Sequence, residues 1–94
     1  FPTDRVWLRD SGPIWVYSSE NQPRLLDWRF NAWAKYDNWK LDNQLPSKIS
    51  KALKLPTTQP VWKKKKLVLE GGSIDVNGAG LLLTTEECLL SPIQ

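Results

Sequence analysis

The chain has 94 residues, 40% of them hydrophobic, 11% aromatic and 24% charged, and carries a formal net charge of +3. This is the composition of a soluble globular segment near the lower limit for burying its own core, and no apolar run approaches the ~18 residues of a membrane span. With no histidine and a single cysteine, Cys88, the sequence excludes a histidine-based metal site, a self-contained Ser-His or Cys-His pair and an internal disulfide.

The first informative stretch is "WLRDSGPIWVY", residues 7–17. Asp10 follows Trp7 by three positions and precedes a Ser11-Gly12-Pro13 reversal, an awkward place for a merely solvated charge. Asp10 is therefore expected to hold a cation, with an ion pair to Arg5 or Arg9, or a cap on the Ser11-Gly12 turn, as the plainer roles. Residues 13–18 alternate bulky apolar side chains and predict a strand. "SSENQP" is turn material, and residues 24–30, "RLLDWRF", form a second strand spaced for a hairpin with the first. "NAWAKYDNW" lacks periodicity and reads as an aromatic-rich loop.

From Asp42 the pattern changes. Asp42 or Asn43 can cap a helix, Pro46 is tolerated only in its first turn, and Leu45, Ile49, Ala52 and Leu53 share one face. The helix should end near Lys54, before Pro56. "TTQP" reads as a break, "KLVLE" as a short strand stopped by Gly71-Gly72, and "SIDVNGAGLLLTT" as two strands around an Asn77-Gly78 turn. The run "KKKK", residues 63–66, could touch phosphates but is more commonly a solvated edge or loop. The predicted order is strand, strand, helix, strand, strand, strand, in one α/β segment. The chain has no methionine, and both its ends have mid-protein character, so it is expected to be a piece of a longer protein.

Three stretches carry a resemblance: "WLRDSGP", "FNAWAKYDNWKLD" with the helix after it, and "LVLEGGSIDVNGAGLLLTTEECLL". Together, in this order over residues 2–92, they resemble the agmatine deiminase and bacterial peptidylarginine deiminase family of guanidine-hydrolysing enzymes. The resemblance implies a pentein fold, a five-bladed α/β propeller of ββαβ modules. This chain would supply about one module and the start of the next, as a single partial domain over residues 1–94 that lacks the C-terminal catalytic part. It also implies conversion of agmatine to N-carbamoylputrescine and ammonia, a step of putrescine biosynthesis, by a cytoplasmic hydrolase. No cofactor and no metal are implied, and the partner is a small guanidine substrate, without nucleic acid or membrane. A homo-oligomeric full-length protein is left open.

Guanidinium hydrolysis needs carboxylates to grip the N–H fork, a nucleophile for the central carbon and a proton donor for departing ammonia. By resemblance, Asp10 and Glu70 are the catalytic carboxylates present. Asp10 also binds substrate, with Trp7 as an aromatic wall, Trp33 as a substrate-pocket residue and Asn31 positioning its loop. Glu70 would lie at the mouth of the site, and the two glycines after it allow close approach of the backbone. Ordinary packing and a strand-end glutamate are the plainer readings of these residues. Cys88, preceded by two glutamates, is expected to be a buried packing residue, with the family's nucleophile and histidine lying downstream. Agmatine-type members often carry Gly-Gly where this chain has Ala34-Lys35, and often a histidine where it has Asp75. Two alternatives stand beside this reading: a protein-arginine deiminase of the same family, and a binding module whose six tryptophans take peptide, sugar or nucleic acid.

Overall fold

The computed structural model describes residues 1–93. The alternation in "IWVY" makes β1 (Ile14–Tyr17), whose Ile14 and Val16 turn inward while Trp15 and Tyr17 stay exposed. It pairs antiparallel with β2 (Pro23–Leu26), Ile14 opposite Leu26 and Tyr17 opposite Pro23. The chain then runs through two 3₁₀ turns, Ala32–Ala34 and Asp42–Gln44, into α2 (Leu45–Leu53), and returns as β3 (Thr57–Thr58), parallel to β2. A short helix, α1 (Leu8–Ser11), precedes the sheet. The sheet order is β1-β2-β3.

The helix agrees with its sequence signals. Pro46 lies in its first turn, where no backbone N–H is required, and Lys54 ends it in the left-handed conformation with φ 54°. Leu45 and Pro46 are buried against the sheet, whereas Ala52 and Leu53 are exposed, so only the first half of the predicted apolar stripe is covered. The buried apolar residues are Leu25, Phe30, Ala32 and Leu45, and the core lies where α2 meets β2.

The segment after α2 corrects the prediction. Thr57 and Thr58, within the expected break, are the strand paired with β2, and Asp27 N–H donates to the Thr58 carbonyl at 2.8 Å. The chain then leaves the sheet as a hairpin, β4 (Val61–Trp62) and β5 (Lys65–Lys66), with Lys63 and Lys64 at φ 47° and 67° in its turn. The hairpin closes through a 3.0 Å bond from Leu67 N–H to the Pro60 carbonyl. Parallel pairing resumes at a bridge between Arg29 and Val68, all that remains of the strand expected in "KLVLE". The missed hairpin has a physical reason: four lysines carry no turn signal, yet its exposed strands let every ammonium stay hydrated.

A second hairpin, β6 (Asp75–Val76) and β7 (Leu82–Leu83), replaces the predicted tight Asn77-Gly78 turn with a wider loop. Asn77 Oδ1 accepts from Ala79 N–H and Leu81 N–H at 2.8 and 3.1 Å, while Gly78 and Gly80 both take positive φ. The side chain stabilises a longer loop than the dipeptide alone suggests. The last element is α3 (Glu86–Leu90), capped by Thr85, whose Oγ1 accepts from Cys88 N–H at 3.2 Å. Val76, Leu82, Leu83 and Leu90 remain half or more exposed. No helix among the described residues is long and apolar enough to cross a membrane.

Candidate functional site

"WLRDS" folds as one tight turn because the Trp7 carbonyl accepts three donors: Asp10 N–H at 3.1 Å, Ser11 N–H at 3.0 Å and Ser11 Oγ at 3.1 Å. The turn packs directly on the 3₁₀ turn Gly71–Ser73. Contact there is so close that a Cβ on Gly72 would come nearer than 3.0 Å to Asp10 Oδ1, and one on Gly71 equally near the Arg9 carbonyl oxygen. Gly71 thus meets backbone and Gly72 the end of the Asp10 side chain, the close approach expected of "EGGS". Burial pushes the Asp10 carboxyl above the usual carboxylate range, while a hydrogen bond from Gly72 N–H and the charge of Arg9 pull it back. Asp10 is therefore a half-buried carboxylate held by a backbone donor.

Glu70 and Asn31 reach the site from the parallel ladder. Arg29 N–H donates to the Leu67 carbonyl at 3.0 Å and Leu69 N–H to the Arg29 carbonyl at 3.3 Å. Both segments then leave the sheet at their carboxyl ends, one as Asn31 and the other as Glu70, the place where ligands bind in open α/β sheets. Glu70 is only 1% exposed, and its carbonyl accepts Ser73 N–H and Ser73 Oγ at 3.0 and 2.6 Å. Asn31 Oδ1 is a buried acceptor without a hydrogen-bond partner among the described residues.

The turn after Asn31 is unusual. Ala32, Trp33 and Ala34 all adopt left-handed φ, at 51°, 58° and 56°. Each such residue with a Cβ costs about 1–2 kcal/mol, so packing must hold the turn in place. Trp33 supplies that packing: its ring lies 4.8 Å from Trp7, 6.1 Å from Tyr36 and 6.2 Å from Phe30, centroid to centroid. Trp7 and Tyr36 are 5.5 Å apart, so three rings form one cluster. The Arg5 guanidinium stacks on it, 4.5 Å from the Trp7 centroid and 4.2 Å from that of Tyr36, and also donates to Asn38 Oδ1. The other four tryptophans go elsewhere: Trp39 faces Arg29, Trp15 and Trp62 are exposed, and Trp28 is half-buried.

Two residues predicted as helix caps have a different task. Asp42 Oδ1 accepts Asp4 N–H and Arg5 N–H at 3.1 and 3.4 Å, and Asp4 Oδ2 accepts Leu41 N–H at 2.8 Å in return. Asn43 Oδ1 accepts Phe30 N–H at 2.8 Å. One pre-helical turn therefore ties down both segments that carry the site, residues 4–10 and 30–36. The sequence reading missed Arg5, Tyr36, Asp42 and Asn43. Apart from the Tyr36–Trp33 and Arg5–Trp7 contacts, their partners lie 13 or more residues away, and the only local signal was an arginine two positions before a tryptophan.

The structure thus joins Trp7 to Trp33 by ring contact, and Asp10 to the Glu70-Gly71-Gly72 turn by backbone approach. The surface groove beside α1 is lined by Leu8, Arg9, Gly71, Ile74 and Asp75, without Asp10 or Glu70. Cys88 is half-buried in the first turn of α3 instead of enclosed in a core, because β6, β7 and α3 are thinly covered.

All 94 residues match the family of Porphyromonas-type peptidyl-arginine deiminases. The chain belongs to that family. It is 46% identical over 91 residues to an agmatine deiminase of Pseudomonas savastanoi pv. phaseolicola, and 43% identical over 94 residues to one of Ectopseudomonas mendocina. These matches cover 92% and 95% of this chain but 24% of each relative. Among solved structures, a substrate-bound agmatine deiminase variant of C. jejuni superposes with a TM-score of 0.82 at 36% identity, covering 99% of this chain and 26% of that one. The agmatine deiminase of Enterococcus faecalis superposes with a TM-score of 0.78 at 38% identity, covering 94% and 24%. The chain spans about a quarter of the length of the relatives it matches. Both left-handed residues flanking Trp33 are alanines.

Proposed function

We propose that this chain is the substrate-gripping part of a cytoplasmic agmatine deiminase that produces N-carbamoylputrescine and ammonia. The observation that carries the reading is the seat of Asp10 on Gly72: a carboxylate, partly withdrawn from water, fixed against a glycine that follows the buried Glu70 by two positions. A planar guanidinium offers five N–H donors and no acceptor, and carboxylates are its strongest partners, because they take two of its N–H groups side by side with opposite charge. Asp10 is the accepting carboxylate at the front of the site, Asn31 Oδ1 is a further buried acceptor, and Trp7 and Trp33 form the aromatic wall. Glu70 is the second carboxylate, which either accepts a guanidinium N–H or orients the proton-transferring group. The relatives named as agmatine deiminases support this substrate.

The thiolate nucleophile and acid–base group that this chemistry requires are supplied outside these 94 residues. The chain contains no histidine, and Cys88 is committed to α3. The five-bladed propeller of the resemblance supplies the missing walls: other modules cover Val76, Leu82, Leu83 and Leu90, which this chain leaves exposed.

Hydrolysis of agmatine by the complete protein tests the reading, with ammonia and the ureido product measured together. The family's name makes peptidyl-arginine the competing substrate, so a C-terminal arginine peptide is run in parallel. Turnover of the peptide alone would replace agmatine with peptidyl-arginine, and no turnover of either would end the assignment. The 94-residue chain by itself should produce no ureido product.

A further inference from the structure

The proposed site holds a guanidinium of its own. Arg5 lies against two faces of the aromatic cluster, 4.5 Å from the Trp7 centroid and 4.2 Å from that of Tyr36. Its backbone N–H is tied to Asp42, and its guanidinium donates to Asn38 Oδ1. The Trp7 and Tyr36 rings meet with centroids 5.5 Å apart, and Arg5 covers the corner they form. Tyr36 is 45% exposed and Trp7 half-buried, so without Arg5 that corner would open to water. A guanidinium suits this corner because it is flat and weakly hydrated; a lysine ammonium is a point charge with a tight water shell.

We propose that Arg5 is a resident guanidinium that positions Trp7, so that the substrate meets only the part of the cluster that Arg5 leaves uncovered. This rests on the agmatine deiminase reading and extends it to a specificity-setting residue. Arg5 acts through Trp7 and is not itself catalytic.

The claim makes chemical rescue possible. In the complete protein, Arg5→Ala leaves a gap shaped for a small guanidinium, and free methylguanidinium should refill it. The expected result is a rise in KM for agmatine of about tenfold with kcat within twofold, since uniform binding is lost and chemistry is spared. Added methylguanidinium should restore KM in Arg5→Ala, and methylammonium should not. Arg5→Lys should behave like Arg5→Ala. The opposite pattern would overturn the proposal: a lowered KM in Arg5→Ala, with methylguanidinium acting as a competitive inhibitor, would mean that Arg5 merely obstructs the substrate's slot. Unchanged KM in a folded Arg5→Ala protein would overturn it equally.

A second readout needs no turnover, so failure of the agmatine assignment stays separate. The near-UV circular dichroism of the Trp7–Trp33–Tyr36 cluster should change in Arg5→Ala and return on adding methylguanidinium. If Arg5→Ala does not fold, Arg5→Gln takes its place, keeping a planar group that can still bond Asn38. An unchanged spectrum in the folded variant would overturn the positioning role whatever the substrate.

Discussion

Asp10 and Gly72 leave no room for a methyl group between them, since a Cβ on Gly72 would lie nearer than 3.0 Å to Asp10 Oδ1. Gly71, its neighbour, is equally close to the Arg9 carbonyl. The two glycines therefore separate stability from function. The obstacle at Gly71 is backbone, which yields only by moving α1, so Gly71→Ala should destabilise the protein by about 1–3 kcal/mol. The obstacle at Gly72 is the end of a rotatable side chain, so Gly72→Ala should keep stability within about 1 kcal/mol. It should nevertheless displace the carboxylate and lower kcat/KM about 100-fold. Melting curves and steady-state kinetics on both variants check this, and equal effects on stability would refute the distinction.

Asp10→Asn keeps the shape and the acceptor for Gly72 N–H but removes the charge. Loss of a desolvated carboxylate–guanidinium contact should cost roughly 2–5 kcal/mol of transition-state binding, about 30- to several-thousand-fold in kcat/KM. Steady-state kinetics with agmatine measure it. Near-normal turnover in a well-folded Asp10→Asn protein would remove Asp10 from the site.

The same substitution should change the pH dependence of stability. Burial raises the Asp10 pKa in the folded state, so the folded chain binds this proton more tightly than the unfolded chain. The stabilising contribution of protonated Asp10 is complete below the unfolded value and is lost as pH rises through the raised folded value. Ionised Asp10 thus costs stability at neutral pH, and Asp10→Asn should be at least as stable there as the parent. The gap in melting temperature between the two should shrink on acidification. A gap that widens towards acid would contradict the raised pKa.

Ala34 adopts φ 56° with a Cβ in place. Glycine removes a strain of about 1–2 kcal/mol there but loosens the unfolded chain by roughly 0.4–1 kcal/mol. Ala34→Gly should therefore stabilise the complete protein by up to about 1 kcal/mol in a denaturant titration. Ala34→Val, which is β-branched, should destabilise it by more than that.

Cys88 donates its backbone N–H to the Thr85 cap, and its thiol lies half-buried on α3. Cys88→Ala should leave kcat within a fewfold in the complete protein. A loss of about 10⁴ or more, the scale of removing a covalent nucleophile, would make Cys88 catalytic. Thr85→Ala should cost about 1 kcal/mol through the lost cap, without altering turnover.

What the sequence determined by itself was local. Alternation in "IWVY" produced β1, and Pro46 with the apolar spacing from Leu45 placed α2 within a residue or two of where it lies. The close-approach glycines were legible in "EGGS", because two adjacent residues without a Cβ at a strand end have few other uses. The tertiary structure decided everything whose partner is distant in the chain. Thr57 and Thr58 became a strand because β2 offered unpaired carbonyls and N–H groups, against the local signal of a proline-bounded break. Asp42 and Asn43 could have capped their own helix, but their oxygens bond Asp4, Arg5 and Phe30 instead. The left-handed turn at Trp33 has Trp7, Tyr36 and Phe30 packed around its ring, contacts that no local pattern announces. Periodicity reports which face of one segment is apolar. Which donor meets which acceptor across 13 to 38 residues depends on where folding brings the segments, and no local pattern encodes that.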